Sequence, residues 1–198
     1  MNKMLKRTIL GILAACVLSG AAAAALAIHE EVTEETLIAD LQHGGYVVYL
    51  RHAQRYKGPP DSLYPDSPPA AFADCTQQRN LTPYGIEQAT LLREQLQRAG
   101  VTVGLVMANP ECRTRDTANL TFGRATLDKG LFDPAFVRRQ LGRKPPAGTD
   151  TVLVGGENSL RQIIGFQIDP AEMAIFRPDG HGGTRLVGLL HLEDWFDD

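Results

Sequence analysis

Apolar and polar residues along this chain alternate between two periods. Leu37, Ile38 and Leu41 recur at helical spacing within Val32–Gln42, and Gly44-Gly45 closes that segment. Tyr46–Leu50 is a short apolar run rich in β-branched and aromatic residues, the pattern of a buried strand. Residues 57–79 hold five prolines and little periodicity, which predicts a long loop. Thr82-Pro83 has the chemistry of a helix start, an N-cap followed by proline at the first helical position. Ile86, Ala89, Leu92, Leu96 and Ala99 then form one apolar stripe that Gly100 ends.

The same reading predicts a strand over Val101–Ala108 and a helix from Pro110 to about Leu120, stopped by Gly123. It adds a short helix over residues 134–142, a buried strand at Thr151–Val154 and a helix over Ser159–Phe166. Met173–Arg177 and Thr184–Leu190 pair as a hairpin around Asp179–Gly183. Strands alternating with helices define an α/β fold: a single three-layer domain with a mainly parallel central sheet flanked by helices. In such sheets ligands bind beyond the carboxyl ends of the strands. Three strands here end in Arg51-His52, in Asn109–Arg115 and in Gly155-Gly156-Glu157, so these sequences are expected to converge.

Composition changes the picture at the N-terminus. Lys3, Lys6 and Arg7 precede an uncharged stretch, Thr8–Ile28, that ends in Ala25-Leu26-Ala27. Residues 1–27 therefore read as a secretory signal peptide ahead of a domain spanning 28–198, and the protein as exported, periplasmic or secreted. The stretch is also long enough to remain as a membrane anchor. Leu13-Ala14-Ala15-Cys16 has in addition the look of a lipidation site. Cleavage would take the net charge from −3 to −6, leaving 17 basic and 23 acidic residues. Such a surface argues against nucleic acid as a partner. An anionic ligand would have to be held by a local group of cations. Cys75 and Cys112 remain after cleavage, and two cysteines in an exported protein suggest one disulfide, with two unrelated thiols as the alternative.

The expected site combines these cations with an acid–base side chain. His52 has an ordinary pKa near neutrality and serves as nucleophile or proton carrier. Arg51 beside it and Arg113 at the start of the next helix present forked donors that match phosphate oxygens. Arg55 and Arg79 could reach the same point from the loop or lie on the surface. Asp61, Asp66, Asp74 and Glu157 are the candidate acids. No metal-ligand spacing and no glycine-rich nucleotide loop occurs, so neither metal nor cofactor is expected.

Four ordered blocks carry a resemblance. Leu50-Arg51-His52-Ala53 is similar to the L-R-H-G signature of the histidine phosphatase superfamily, the phosphoglycerate mutase-like proteins. Leu81–Ala89 resembles that family's L-T-x-x-G-x-x-Q-A helix start, Asn109–Ala118 its S-P-x-x-R-x-x-x-T-A block, and Val152–Gly155 the strand before its second histidine. With cysteines at 75 and 112, the chain looks like small exported bacterial members. The resemblance implies a phosphomonoesterase acting on a small phosphorylated substrate. His52 would take the phosphoryl group, Arg51 and Arg113 would clamp it, and Glu157 would donate the leaving-group proton or, as the alternative, stabilise the first turn of its helix through the dipole. It also marks a departure. The family's second histidine falls here on Gly156, and loss of one such donor costs on the order of 10²–10³ in rate. A slowed enzyme, a catalytically impaired binder of a phosphorylated ligand, and an interaction protein on the same scaffold are therefore all carried forward. Mass analysis of the exported protein without reductant is expected to find a chain beginning at Ile28 with Cys75 joined to Cys112. A retained leader or two free thiols would contradict the corresponding expectation.

Overall fold

A computed structural model of the chain describes residues 32–59, 61, 63 and 66–191, and the leader expected at 1–27 lies outside them. The first helix, α1, is Glu34–His43, capped by the Thr33 hydroxyl, which accepts the Thr36 N–H. It buries Leu37 and Leu41, one turn apart. Strand β1 follows as Val47–Arg51, buried through Leu50.

The segment expected to be an unstructured loop is partly helical. Pro69–Ala73 forms α2, and Cys75–Gln77 a single 3-10 turn. Proline misled here because Pro69 sits in the first turn of α2, where a missing N–H costs nothing. The fixed point of the segment is Phe72, which is buried and stacks on Phe132 with ring centroids 5.8 Å apart.

Helix α3 spans Pro83–Arg98 with Thr82 as N-cap. Its buried face is rotated from the expected stripe: Ile86 is exposed, whereas Gly85, Gln88 and Gln95 are buried beside Ala89, Leu92 and Leu96. The rotation comes from Gly85 lying against the Gln54 backbone, while the Gln88 side-chain oxygen accepts the Gln54 N–H at 2.9 Å. Strand β2 is Val103–Ala108, α4 is Cys112–Phe122, and α5 is Pro134–Leu141. A two-residue edge strand, β3 at Thr126–Leu127, was too short to show in the pattern. Strand β4 is Asp150–Gly155, α6 is Glu157–Ile164, and β5 and β6 are Met173–Pro178 and Thr184–Leu190. Helix α6 thus begins two residues earlier than the sequence suggested.

The six strands form one sheet in the order β3-β2-β4-β1-β5-β6. β3, β2, β4 and β1 run parallel, and the β5–β6 hairpin is antiparallel on the β1 edge. Side-chain alternation divides the core in two. Val48, Leu50, Val152 and Val154 face α1, α3 and α4, while Val47, Tyr49 and Leu153 face α5 and α6. This is the three-layer α/β architecture expected from the strand and helix pattern. Among the described residues no helix is long and apolar enough to cross a membrane.

The register places the chemistry. Arg51 pairs with Gly155 and Ala108 with Val154, so His52, Asn109 and Gly156 emerge side by side at one sheet end. Gly85 fixes the segment just after His52, since a β-carbon there would lie 1.9 Å from the Gln54 carbonyl oxygen. Gly85→Ala is expected to destabilise the fold by about 1–3 kcal/mol. Urea unfolding measures this, and an unchanged midpoint would mean that α3 does not press on this segment.

Candidate active site

A cleft of about 250 Å³ opens at the carboxyl ends of β1, β2 and β4. Arg51 and His52 enter it from β1, and Asn109, Glu111 and Arg113 from the β2–α4 connection. Gly156, Glu157, Asn158 and Ser159 enter from the β4–α6 connection. Arg55 and Arg79 complete it from the crossing segment, and Phe132 forms part of the wall.

His52 is only 4% exposed. Its backbone N–H donates to the Gly155 carbonyl at 3.0 Å, which ties the histidine to β4. The ring Nδ1 lies 2.8 Å from the Ala53 carbonyl oxygen. A carbonyl only accepts, so Nδ1 carries the proton and the lone pair of the neutral ring is on Nε2. Burial, and then the nearby Arg113 cation, pull the ring pKa down to about 3. At neutral pH the imidazole is thus uncharged, with Nε2 available as a nucleophile.

Carboxylates already engage the arginines. Arg51 pairs with Glu157 at 2.9 Å and donates to the Ile168 carbonyl. Arg113, buried, holds Asp61 with one nitrogen and Glu111 with the other. Arg79 donates to Asp61 from its backbone N–H at 2.8 Å and from Nε at 3.2 Å. Burial alone would raise the Asp61 pKa, but the Arg79 bonds and then Arg113 outweigh it and hold the carboxyl below its ordinary range. Arg55 donates to the Tyr56 carbonyl, and burial followed by its cationic neighbours Arg79 and Arg113 lowers its pKa. Four arginines against Asp61, Glu111 and Glu157 leave one net positive charge in the cleft.

The structure thus brings together Arg51, His52, Arg113, Arg55, Arg79 and Glu157. Of the rival acids, Asp61 serves as an arginine clamp, Asp66 is exposed, and Asp74 caps the 3-10 turn through Thr76. Glu157 is the first residue of α6 and also faces the cleft, so both readings of it describe one position; Gln167 donates to it as well. Glu111 was missed, although its place two residues before Arg113 was a usable signal. Thr117 was quoted only as part of a motif. Its hydroxyl accepts the Ala53 N–H at 3.1 Å and donates to the Arg113 carbonyl at 2.7 Å, so it couples the two halves of the site.

Gly156 has an ordinary extended backbone, φ −85°, and a β-carbon there would meet nothing within 4 Å. Among the described residues His52 is the sole histidine on this cleft: His43 ends α1, His181 is exposed in the hairpin turn, and His191 pairs with Glu172 at 3.0 Å. Cys75 and Cys112 are joined as a disulfide with Cα atoms 5.8 Å apart. It fastens the segment carrying Asp61 and Arg79 to the start of α4, one residue before Arg113. Outside the cleft, Asp169, Glu172 and His191 each offer an atom within 4.8 Å of the others, a grouping with cation-ligand chemistry. No sequence spacing announced it, because His191 comes from the far end of β6.

No family model matches the chain, and no curated protein matches it. Solved structures do. The protein histidine phosphatase SixA, complexed with tungstate, is similar with a TM-score of 0.52 and 16% identity, over 75% of this chain and 98% of that one. Phosphoserine phosphatase from Entamoeba histolytica, in complex with 3-phosphoglyceric acid, gives 0.51 and 14%, over 76% and 99%. A mycobacterial glucosyl-3-phosphoglycerate phosphatase with inorganic phosphate gives 0.52 and 13%, over 73% and 96%. At these identities the likeness is one of fold, and the fold is that of the histidine phosphatases.

The buried neutral histidine has a consequence for stability. Its folded pKa lies below the ordinary 6.5, so between about 3 and 6.5 the unfolded chain binds the extra proton. Stability from this group is complete above 6.5 and declines as pH falls toward 3. Asp150, raised to about 6 by burial, acts in the opposite sense: its contribution is complete below about 3.8 and is lost as pH rises through about 6. The comparison is therefore between wild type and His52→Gln by urea unfolding across pH 4–7. The stability of the wild type relative to the variant should fall on acidification. A pH-independent difference would mean that His52 is not held neutral.

Proposed function

We propose that this chain is an exported phosphomonoesterase that works through a phosphohistidine on His52. The observation that carries the reading is a buried, neutral His52, its lone pair on Nε2, in a cleft lined by four arginines. The leader-like residues 1–27 and the Cys75–Cys112 pair support export. The solved structures of similar fold include phosphatases crystallised with tungstate and with phosphate, which supports a small phosphorylated substrate.

In this mechanism Arg51 and Arg113 exchange their carboxylate partners for phosphoryl oxygens. Nε2 attacks phosphorus, the Nε2–P bond forms and the ester P–O bond breaks. Glu157, released from Arg51 and protonated from solvent, gives that proton to the departing oxygen and is left as the carboxylate. The Nδ1–H bond to the Ala53 carbonyl stabilises the positive charge that develops on the ring. Water then attacks phosphorus, the Nε2–P bond breaks, and the water proton passes to the Glu157 carboxylate. The reaction is chiefly positioning and charge stabilisation, so the arginines contribute as much as the nucleophile.

Gly156 favours a second reading. It leaves open space where the resembled family carries a histidine, so the chain would bind a phosphorylated ligand with little or no turnover. A chromogenic phosphate ester separates the two. Turnover that disappears in His52→Ala and falls by roughly 10²–10³ in Arg113→Ala supports the enzyme. No turnover, with vanadate binding that requires Arg113, supports the binder. Failure to bind any oxyanion would defeat both. Gly156 has room for a β-carbon, so Gly156→His is expected to raise turnover, and no gain would count against the positional match.

A further inference from the structure

Beside the cleft lies a second concavity, of about 260 Å³, with a different character. Its floor is apolar: Pro69 and Phe72 of α2, Pro110, and Leu127 of β3. Arg115 and Lys129 stand on its wall, and among the described residues no carboxylate lines it. Arg115 bonds Asp116 at 3.1 Å, and Lys129 donates to the Ser67 carbonyl, so both cations are held in place rather than free to leave. Leu127 is 47% exposed, an apolar side chain left partly uncovered.

Two links join this groove to the cleft. Phe72 on its floor stacks on Phe132, which is part of the cleft wall. Pro110 lies between Asn109 and Glu111, both of which face the cleft. The two concavities therefore neighbour one another at the Phe72–Phe132 stack and at Pro110, with Arg115 and Lys129 on the groove side. A cavity of roughly 150 Å³ accommodates one benzene ring, so the groove has room for more than a single ring.

We propose that the groove is the leaving-group subsite, and that the substrate class is a phosphomonoester whose alcohol has an aromatic or similarly flat apolar body ending in an anionic group. The phosphoryl group occupies the arginine cleft. The body lies along Phe72 and Leu127, and the anionic end meets Arg115 and Lys129. This rests on the phosphatase reading above, and the test keeps the two apart.

The experiment compares phenyl phosphate, 2-naphthyl phosphate and 6-carboxy-2-naphthyl phosphate as substrates of the oxidised protein. From first to last, kcat/KM is expected to rise by about ten-fold or more, the discrimination that apolar contacts of this size give. Lys129→Gln should remove the gain from the carboxylate, and Leu127→Glu the gain from the second ring. Far-UV circular dichroism and the urea midpoint of both variants should match those of the wild type, which reports that they fold. Equal kcat/KM for the three esters, or gains that survive both substitutions, would overturn the subsite. If no ester is hydrolysed, the phosphatase reading fails instead. Calorimetric dissociation constants for the same intact esters then decide the groove: tighter binding of the extended esters that is lost in the two variants sustains it, and equal binding overturns it.

Discussion

The parallel ladder between β1 and β4 sets the position of every group in the cleft. Its register, Arg51 opposite Gly155, makes two connections emerge together at the sheet's carboxyl end. The His52 N–H to Gly155 carbonyl bond extends that ladder by one residue beyond β1. A slip of one residue would turn Arg51 to the face His52 now occupies, because side chains alternate along a strand. The flanking layers hold the register from both sides. Val48 and Leu50 are buried against one set of helices and Val47 and Tyr49 against the other, so a one-residue slip would exchange side chains of different volume between two packed faces.

Charge compensation governs what this geometry can hold. Arginines clustered around one histidine repel one another, and Asp61, Glu111 and Glu157 relieve that repulsion while the guanidinium groups are half-buried or deeper. The same cations help keep His52 neutral, adding to the effect of its burial. Any anion entering the cleft would therefore compete with carboxylates for donors that are already aimed. That preorganisation lowers the reorganisation needed when charge develops, and it also makes affinity sensitive to the protonation of the competing acids.

The disulfide and Thr117 act on the same problem from the periphery. Asp61 and Arg79 arrive on a segment with few regular hydrogen bonds, and the Cys75–Cys112 bond fastens that segment to the helix that carries Arg113. Thr117 links the Ala53 N–H to the Arg113 carbonyl, joining the turn after His52 to the start of α4. Gly85 and Gln88 hold the following residue, Gln54, from α3. The residues that resemble a family signature are thus largely the ones that immobilise 52–55 rather than ones that touch a ligand.

Much of this was legible in the residues. Runs such as Tyr46–Leu50 and Thr151–Val154 are apolar on both faces, which only a buried central strand satisfies, so the α/β class and the strand ends at Arg51-His52 and Gly155-Gly156 followed from pattern alone. Helical segments within 57–79 and the edge strand β3 did not, because a five-residue helix and a two-residue strand carry too few periods to be read. The pairing of Arg51 with Glu157, and of Arg79 and Arg113 with Asp61, belonged to the tertiary structure. Asp61 lies 52 positions before Arg113, and nothing in the local sequence of either specifies the other. Local pattern reports which face of an element is buried; which charges meet there depends on how separate elements pack. The sequence by itself determined where a histidine and its arginines leave the sheet, and the fold decided their protonation, their partners and the space left beside them.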